Sequence, residues 1–236
     1  MPRQRPALKI VKPAAAPLSA TERIVDSITE AIVARRLMPG TKLAEQKLAD
    51  VFKVSRTLVR QALNQLSRDR LVTLEPARGA FVAMPSVEEA HQVFELRQML
   101  EAALIKRLCS RISNRQIAEL RAHLQAERAA VARTDVPGRT RLLADFHVVL
   151  AQMLGNQVLA QMLGDLLSRS SLISLMYQSS HSAEASLAEH VAIVDALEQR
   201  DVRAAVRLTT AHLDHVERHL RLAPQSPDLS HVLSPA

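Results

Sequence analysis

Apolar positions recur with a helical period along nearly the whole chain, and the exception is short. From the Ser19/Thr21 cap region, Ile24, Val25, Ile28, Ile32 and Val33 share one face until Met38-Pro39-Gly40 stops the pattern. A second helix is predicted over Glu45–Phe52, with Leu43, Leu48 and Val51 as buried positions. A third begins at Ser55, which stands where an N-cap belongs, and turns Leu58, Val59, Ala62, Leu63 and Leu66 inward. The period then changes to that of extended chain: Leu71-Val72-Thr73-Leu74, a turn over Glu75-Pro76-Ala77-Arg78-Gly79, and Ala80-Phe81-Val82-Ala83. Three helices followed by a two-stranded hairpin predict a winged helix-turn-helix over residues 20–84.

Beyond residue 86 only the helical period remains. Six helices are predicted at about 87–110, 113–133, 137–153, 156–179, 183–199 and 201–222. Their punctuation is Ser113-Asn114, Pro137-Gly138, Gly155-Asn156 and the Ser179–Ser182 stretch. The fold class is therefore mainly α, an N-terminal winged helix-turn-helix plus an all-helical bundle over 87–222. The ends read differently. Residues 1–19 form a basic, proline-broken arm, and residues 223–236, with Pro224, Pro227 and Pro235, read as a disordered tail.

Composition agrees with helices. Hydrophobic residues make up 47% of the 236 but aromatics only 2%, so the cores must be built from Leu, Ala, Val, Ile and Met. One cysteine, Cys109, excludes an internal disulfide and reads as a small buried hydrophobe. No apolar run approaches the ~20 residues of a membrane span, and the N-terminus lacks the apolar core of a secretory signal. The expected setting is the cytoplasm, with no membrane partner. Charge adds the first functional information: residues 1–85 hold 15 Lys+Arg against 7 Asp+Glu, whereas residues 86–236 hold 16 against 17. The whole basic excess lies in the segment that patterns as a DNA reader.

In a helix-turn-helix the second helix of the pair enters the major groove with its N-terminal residues toward the base edges. Here those residues are Ser55, Arg56, Thr57 and Arg60. An arginine fork suits guanine O6 and N7, and hydroxyls with exposed helix N–H groups suit phosphate oxygens. Arg78 and Gly79 sit at the hairpin tip, where a wing reaches DNA. The run PGTKLAEQKLADVFKVSRTLVRQALNQLSRDRLVTLEPARGAFV resembles the N-terminal domain of GntR-family bacterial transcription regulators. It matches PG-x-x-L-x-E-x-x-LA, VSR-x-x-VR-x-AL-x-x-L and a wing ending RGA-x-V. Two departures are small: Leu58 stands where the family often has Pro, and Arg70 where Gly is usual. The resemblance implies that Arg56, Thr57, Arg60 and the Arg78-Gly79 wing contact double-stranded operator DNA.

The helical region has its own signal in three histidines, His147, His190 and His212, each on a different predicted helix and each near the border of an apolar stripe. On the last helix, at ~100° per residue, His212 falls at the stripe's edge, His215 on the solvated side and His219 between. Three inward imidazoles suit a divalent transition metal, zinc or nickel. This region resembles the FCD ligand-binding domain of the FadR-like subfamily through the run Phe94–Glu101, Phe146-His147, Gly155-Asn156, Glu189-His190 and His212. The resemblance implies a metal held by an Asp and three His, and a small organic acid as effector. The Asp position, one turn before His147, is Leu143, and Asp145 lies roughly 160° around the helix. Three histidines remain, with water or an effector carboxylate for the other positions.

Arg97 matches a family position and suits a bidentate pair with that carboxylate. Ser170, Ser174 and Tyr177 follow the face of Leu159, Leu163 and Leu166, and either point inward or bond the preceding helical turn. The reading is a metabolite-responsive regulator, a repressor by the commoner family behaviour, acting as a homodimer on a palindromic site. Two alternatives stand beside it. A metal-dependent hydrolase would use the three histidines, although no HExxH pattern occurs and Glu189 projects ~100° away from His190. An architectural DNA-binding protein would have no effector.

Overall fold

Side-chain caps start most of the helices of this computed structural model, which describes residues 19–133, 136–177 and 182–222. The predicted arm and tail and most of the Ser179–Ser182 stretch lie outside the described residues. Helix α1 (Ala20–Val33) opens with a capping box in which Ser19 and Glu22 satisfy each other's backbone N–H. After strand β1 (Lys42–Leu43) come α2 (Glu45–Phe52) and α3 (Arg56–Arg68), the latter capped by Ser55, whose hydroxyl accepts from Leu58 N–H. Strands β2 (Val72–Glu75) and β3 (Gly79–Val82) complete a three-stranded antiparallel sheet of order β1-β3-β2.

The sheet corrects the predicted two-stranded hairpin. Lys42 and Leu43 pair with Phe81 and Ala80, so β1 covers one edge of β3. A strand of two residues is too short to leave a period in the sequence. Three burial expectations also change. Val51 is exposed, and Leu48 and Leu58 are half-buried. Helix α2 buries only Ala49 among its residues, because it lies shallowly on α3 and turns Val51 outward. Helix α3 ends in a cap where the Leu71 N–H donates to Leu66 O and the Arg70 N–H to Ser67 O. Arg70 there takes φ +61°. That left-handed position favours glycine, which gives the departure from the family's Gly a physical meaning.

The remaining elements are α4 (Val87–Cys109), α5 (Asn114–Ala132), α6 (Val136–Met153), α7 (Gln157–Met176), α8 (Ala183–Glu198) and α9 (Val202–Arg218). Ser86, Ser113, Asn156, Ser182 and Asp201 each accept an N–H from the first turn that follows. Their apolar faces form one core around Phe94, Leu104, Ile105, Leu108, Phe146 and Leu163, in which Cys109 is also buried. A second core holds Ile24, Ile32, Val59, Leu63 and Leu66 of the N-terminal elements, and Leu172 of α7 inserts into it. Arg141 of α6 also reaches Glu30 of α1 at 3.2 Å. No helix among the described residues is long and apolar enough to cross a membrane.

Candidate effector, metal and DNA-contact sites

Five helices of the C-terminal bundle, α4 and α6–α9, converge on one cavity of about 400 Å³. His147 comes from α6, His190 from α8 and His212 from α9. All three are buried, and one ligand atom from each lies within 4.8 Å of the others. They were expected at stripe borders. They sit fully inside because the stripes of α6, α8 and α9 meet at this point. His215 is exposed, as its angle indicates, and His219 is exposed rather than intermediate.

Behind each histidine stands a carboxylate. His147 Nδ1 is 2.6 Å from Glu101 Oε2, His190 Nδ1 is 3.1 Å from Glu127 Oε2, and His212 Nδ1 is 2.6 Å from Glu189 Oε2. Burial lowers the basicity of His147 and His190, and takes His212 down to about 4, so near neutral pH the imidazoles are uncharged. A neutral imidazole that meets a carboxylate through Nδ1 donates there and carries its lone pair on Nε2. Carboxylates in this position orient metal-binding histidines and raise their basicity. The His190 ring is further fixed by stacking on Phe146 at 4.0 Å between centroids.

The donor set fits a divalent transition metal on a second count. His190 Nε2 is buried and has no hydrogen-bond partner among the described residues, a rare state for a buried polar atom. Leu143 lines the same cavity one turn before His147, so that position supplies no carboxylate. Asp145 faces away and lies 3.6 Å from Arg141.

Arg97 and Glu101, on α4, form a buried pair at 2.9 Å. Burial alone would raise the Glu101 pKa, yet His147 and Arg97 hold it well below the usual carboxylate range. Arg97 Nη1 donates to Ser170 Oγ at 3.3 Å, while Nη2 is buried without a partner among the described residues. Ser170 and Ser174 line the cavity with Arg97. Tyr177 does not join them: its hydroxyl donates to the Pro85 carbonyl at 2.9 Å, tying the end of α7 to the segment before α4. The last turn of α7 has passed the cavity by that residue.

The sequence marks Glu101 and Glu127 as buried positions without naming their partners. Glu127 continues the stripe Ile117, Leu120, Leu124 at a position where a charge belongs only if it is paired. Glu101 lies one turn after Arg97 among buried positions. Glu189 projects about 100° away from His190 on α8, and its side chain is long enough to reach both His212 and His215.

On the N-terminal elements the polar chemistry faces outward. Ser55, Arg56, Thr57 and Arg60 are exposed at the start of α3, and Gln61 and Asn64, not singled out from the sequence, extend that exposed face. Glu45 of α2 receives both arginines, Arg60 at 2.7 Å and Arg56 at 3.1 Å, which holds its pKa down at about 2. At the hairpin tip Arg78 pairs with Glu75 and lies 5.3 Å from the Phe81 ring centre. Gly79 follows with φ +100°, a conformation that needs glycine.

Comparison with known proteins agrees with both halves. Residues 20–82 match the bacterial regulatory proteins of the gntR family, and residues 92–215 match the FCD domain. The HTH-type transcriptional repressor RspR of Escherichia coli (strain K12) is 28% identical over 186 residues, covering 78% of this chain and 82% of that protein. The galactonate operon transcriptional repressor of the same organism is 24% identical over 235 residues, covering 86% and 98%. A solved structure of a GntR transcriptional regulator from Rhodococcus sp. RHA1, described as putative, aligns with a TM-score of 0.75 at 26% identity, over 84% of this chain and 95% of that one.

Proposed function

Since the chain belongs to the GntR family of bacterial transcription regulators and carries an FCD domain, we propose that it represses transcription by binding a palindromic operator as a homodimer, and releases it when a small organic acid enters the cavity. The family and its relatives are regulators rather than enzymes. In this reading residues 20–84 read DNA in the cytoplasm and residues 87–222 sense the effector and pair the two copies.

One observation carries the sensing function. An uncharged imidazole nitrogen of His190 and a guanidinium N–H of Arg97 are both buried and unpartnered beside a single cavity. The first calls for an electrophile and the second for an anion. A metal-bound carboxylate answers both. His147, His190 and His212 would hold zinc or nickel, which supplies Lewis acidity toward a carboxylate oxygen. Arg97 would take the acid's other oxygen, with Ser170 and Ser174 toward its hydroxyls. The galactonate repressor among the relatives fits a sugar acid as the effector class.

On DNA, Arg56 and Arg60 exchange Glu45 for guanine edges, Ser55 and Thr57 meet phosphates, and Arg78 with Gly79 carries the wing along the backbone. Exposed Leu96 and Met99 on α4, with Val158 and Met162 on α7, favour burial against a second copy. The hydrolase alternative has little support, because Glu101, Glu127 and Glu189 are each engaged at an imidazole Nδ1 instead of facing the cavity as a general base.

The test is a mobility-shift titration at about 150 mM salt, where nonspecific phosphate binding is weak. Upstream DNA of the gene or its neighbours should be shifted at concentrations that leave random DNA free. Zinc plus one member of an organic-acid panel should then raise the melting temperature and release that DNA. No preference over random DNA, or no acid that moves the midpoint, overturns the corresponding half of the proposal.

A further inference from the structure

The cavity has two chemically different ends. Its inner end holds the histidines and the Arg97–Glu101 pair, in which one positive and one negative charge already compensate. Of the other lining residues, Arg35 and Glu184 are exposed and Arg139 is half-buried, which puts them at its mouth. Serines 170, 171, 174 and 186 line the same cavity. Such a lining combines hydroxyls with a buried cation, Arg97, and two outer ones, Arg35 and Arg139.

Arg35 is the unexpected member, because it does not belong to the helical bundle. It follows α1, in the turn that ends the first helix of the DNA-reading elements. There the Arg35 N–H donates to Ile32 O at 2.9 Å and the Arg36 N–H to Ala31 O at 2.8 Å. This cap puts Arg35 at φ +57°, in the left-handed region that a residue with a Cβ enters at a cost. The side chain then reaches a cavity built by α4 and α6–α9. Arg139 is on α6. Partial burial and the nearby Arg139 both disfavour the charge on Arg35, and Glu184 is drawn toward Arg139 only weakly, after its own contacts at the α8 cap. Two guanidiniums that repel each other across a mouth form an anion subsite when a ligand supplies the charge.

We propose that the effector is a dianionic hydroxy acid, with one carboxylate at the histidine and Arg97 end and the second between Arg35 and Arg139. This rests on the reading of the cavity as an organic-acid site given above. A dicarboxylate held this way joins the DNA-reading elements, through Arg35, to the helical bundle, through Arg139 and Arg97. It therefore binds more tightly to the arrangement that keeps Arg35 at the mouth, and shifts the protein toward it. By reciprocity, DNA that favours another arrangement weakens dicarboxylate binding by the same factor. A monocarboxylate fills only the inner end and lacks this leverage.

The experiment titrates full-length, zinc-loaded protein calorimetrically with matched pairs of acids: erythronate and tartrate, gluconate and glucarate, galactonate and galactarate. At least one dicarboxylate should bind about tenfold or more tighter than its monocarboxylate partner, the gain of one charge-assisted contact. In Arg35→Gly and Arg139→Gln that preference should vanish while monocarboxylate affinity is unchanged. Arg35→Gly is the decisive variant, since glycine suits the φ of that position and folding is preserved. Operator release by the dicarboxylate should be lost with it. Equal affinity within every pair, or an undiminished preference in Arg35→Gly, overturns the inference and leaves acid sensing intact. Failure of every acid to bind the wild type overturns both.

Discussion

Two of the molecule's arginine–glutamate clusters look alike on paper and differ in what surrounds them. On the DNA-reading side Arg56 and Arg60 meet Glu45 with about 60% of each guanidinium side chain exposed. In the bundle Arg97 meets Glu101 with 4% and 1% exposed. Water and salt screen the first, so it can be exchanged for DNA at little cost. The second has given up its hydration, so each of its hydrogen bonds must be made by protein or by ligand. The same residue types thus give a surface that trades partners in one place and a site that demands one in the other.

The sharpest way to break this comparison is to remove the acid from each cluster. Glu101→Ala should destabilise the protein by about 3–5 kcal/mol, the cost of leaving a buried charge without its partner. It also leaves His147 without its acceptor. Glu45→Ala should shift the urea midpoint little, because exposed pairs contribute little that can be measured. Equal losses in the two variants would mean that the bundle cluster is hydrated after all.

These clusters also mark what was legible in the sequence. The helices were, because Ser55, Ser86, Ser113, Asn156, Ser182 and Asp201 announce their starts and the apolar period fills their interiors. The histidine trio was legible from spacing and resemblance. Strand β1 was not, since two residues have no period. The carboxylates behind the histidines are contributed by α4, α5 and α8, and only tertiary packing brings Glu101 and Glu127 to His147 and His190. Arg35 at the mouth of the cavity was invisible for the same reason: it is reached only when the end of α1 is laid against α6 and α7. Tyr177 shows the opposite failure, in which a face drawn along α7 outran the cavity it was meant to line.

A subtler comparison concerns the backbone. Arg70 ends α3 among the DNA-reading elements and Arg200 follows α8 in the bundle, both in left-handed caps, with φ +61° and +58°. In each the next N–H closes back onto the helix, Leu71 to Leu66 O and Asp201 to Ala196 O. Glycine relieves a left-handed residue of roughly 1 kcal/mol. Offset in part by greater freedom in the unfolded chain, Arg70→Gly and Arg200→Gly should each raise stability by up to about 1 kcal/mol in denaturant titrations. A loss in either would show that its arginine side chain contributes more than its backbone costs. For Arg200 the weak contact to Asn114 at 3.5 Å makes that outcome unfavourable.

The smallest effect isolates the exposed cluster by pH. Hydrogen bonding to Arg60, with a lesser contribution from Arg56, lowers Glu45 from its ordinary 4.5 to about 2 in the folded protein. A carboxyl whose folded pKa is depressed adds stability above its unfolded value and loses it as pH falls toward the folded one. The pair's contribution to stability is therefore complete above pH 4.5 and is lost as pH falls from about 4.5 to 2. Comparing wild type with Glu45→Gln should show a small difference in melting temperature near neutrality that closes across this window and shrinks further in 0.5 M salt, where surface pairs are screened. The same substitution frees Arg56 and Arg60 at neutral pH, so affinity for random DNA should rise while the ratio of operator to random binding falls. A difference that persists at pH 2, or that ignores salt, would place the Glu45 cluster with the buried one and remove the contrast between the two sides of the molecule.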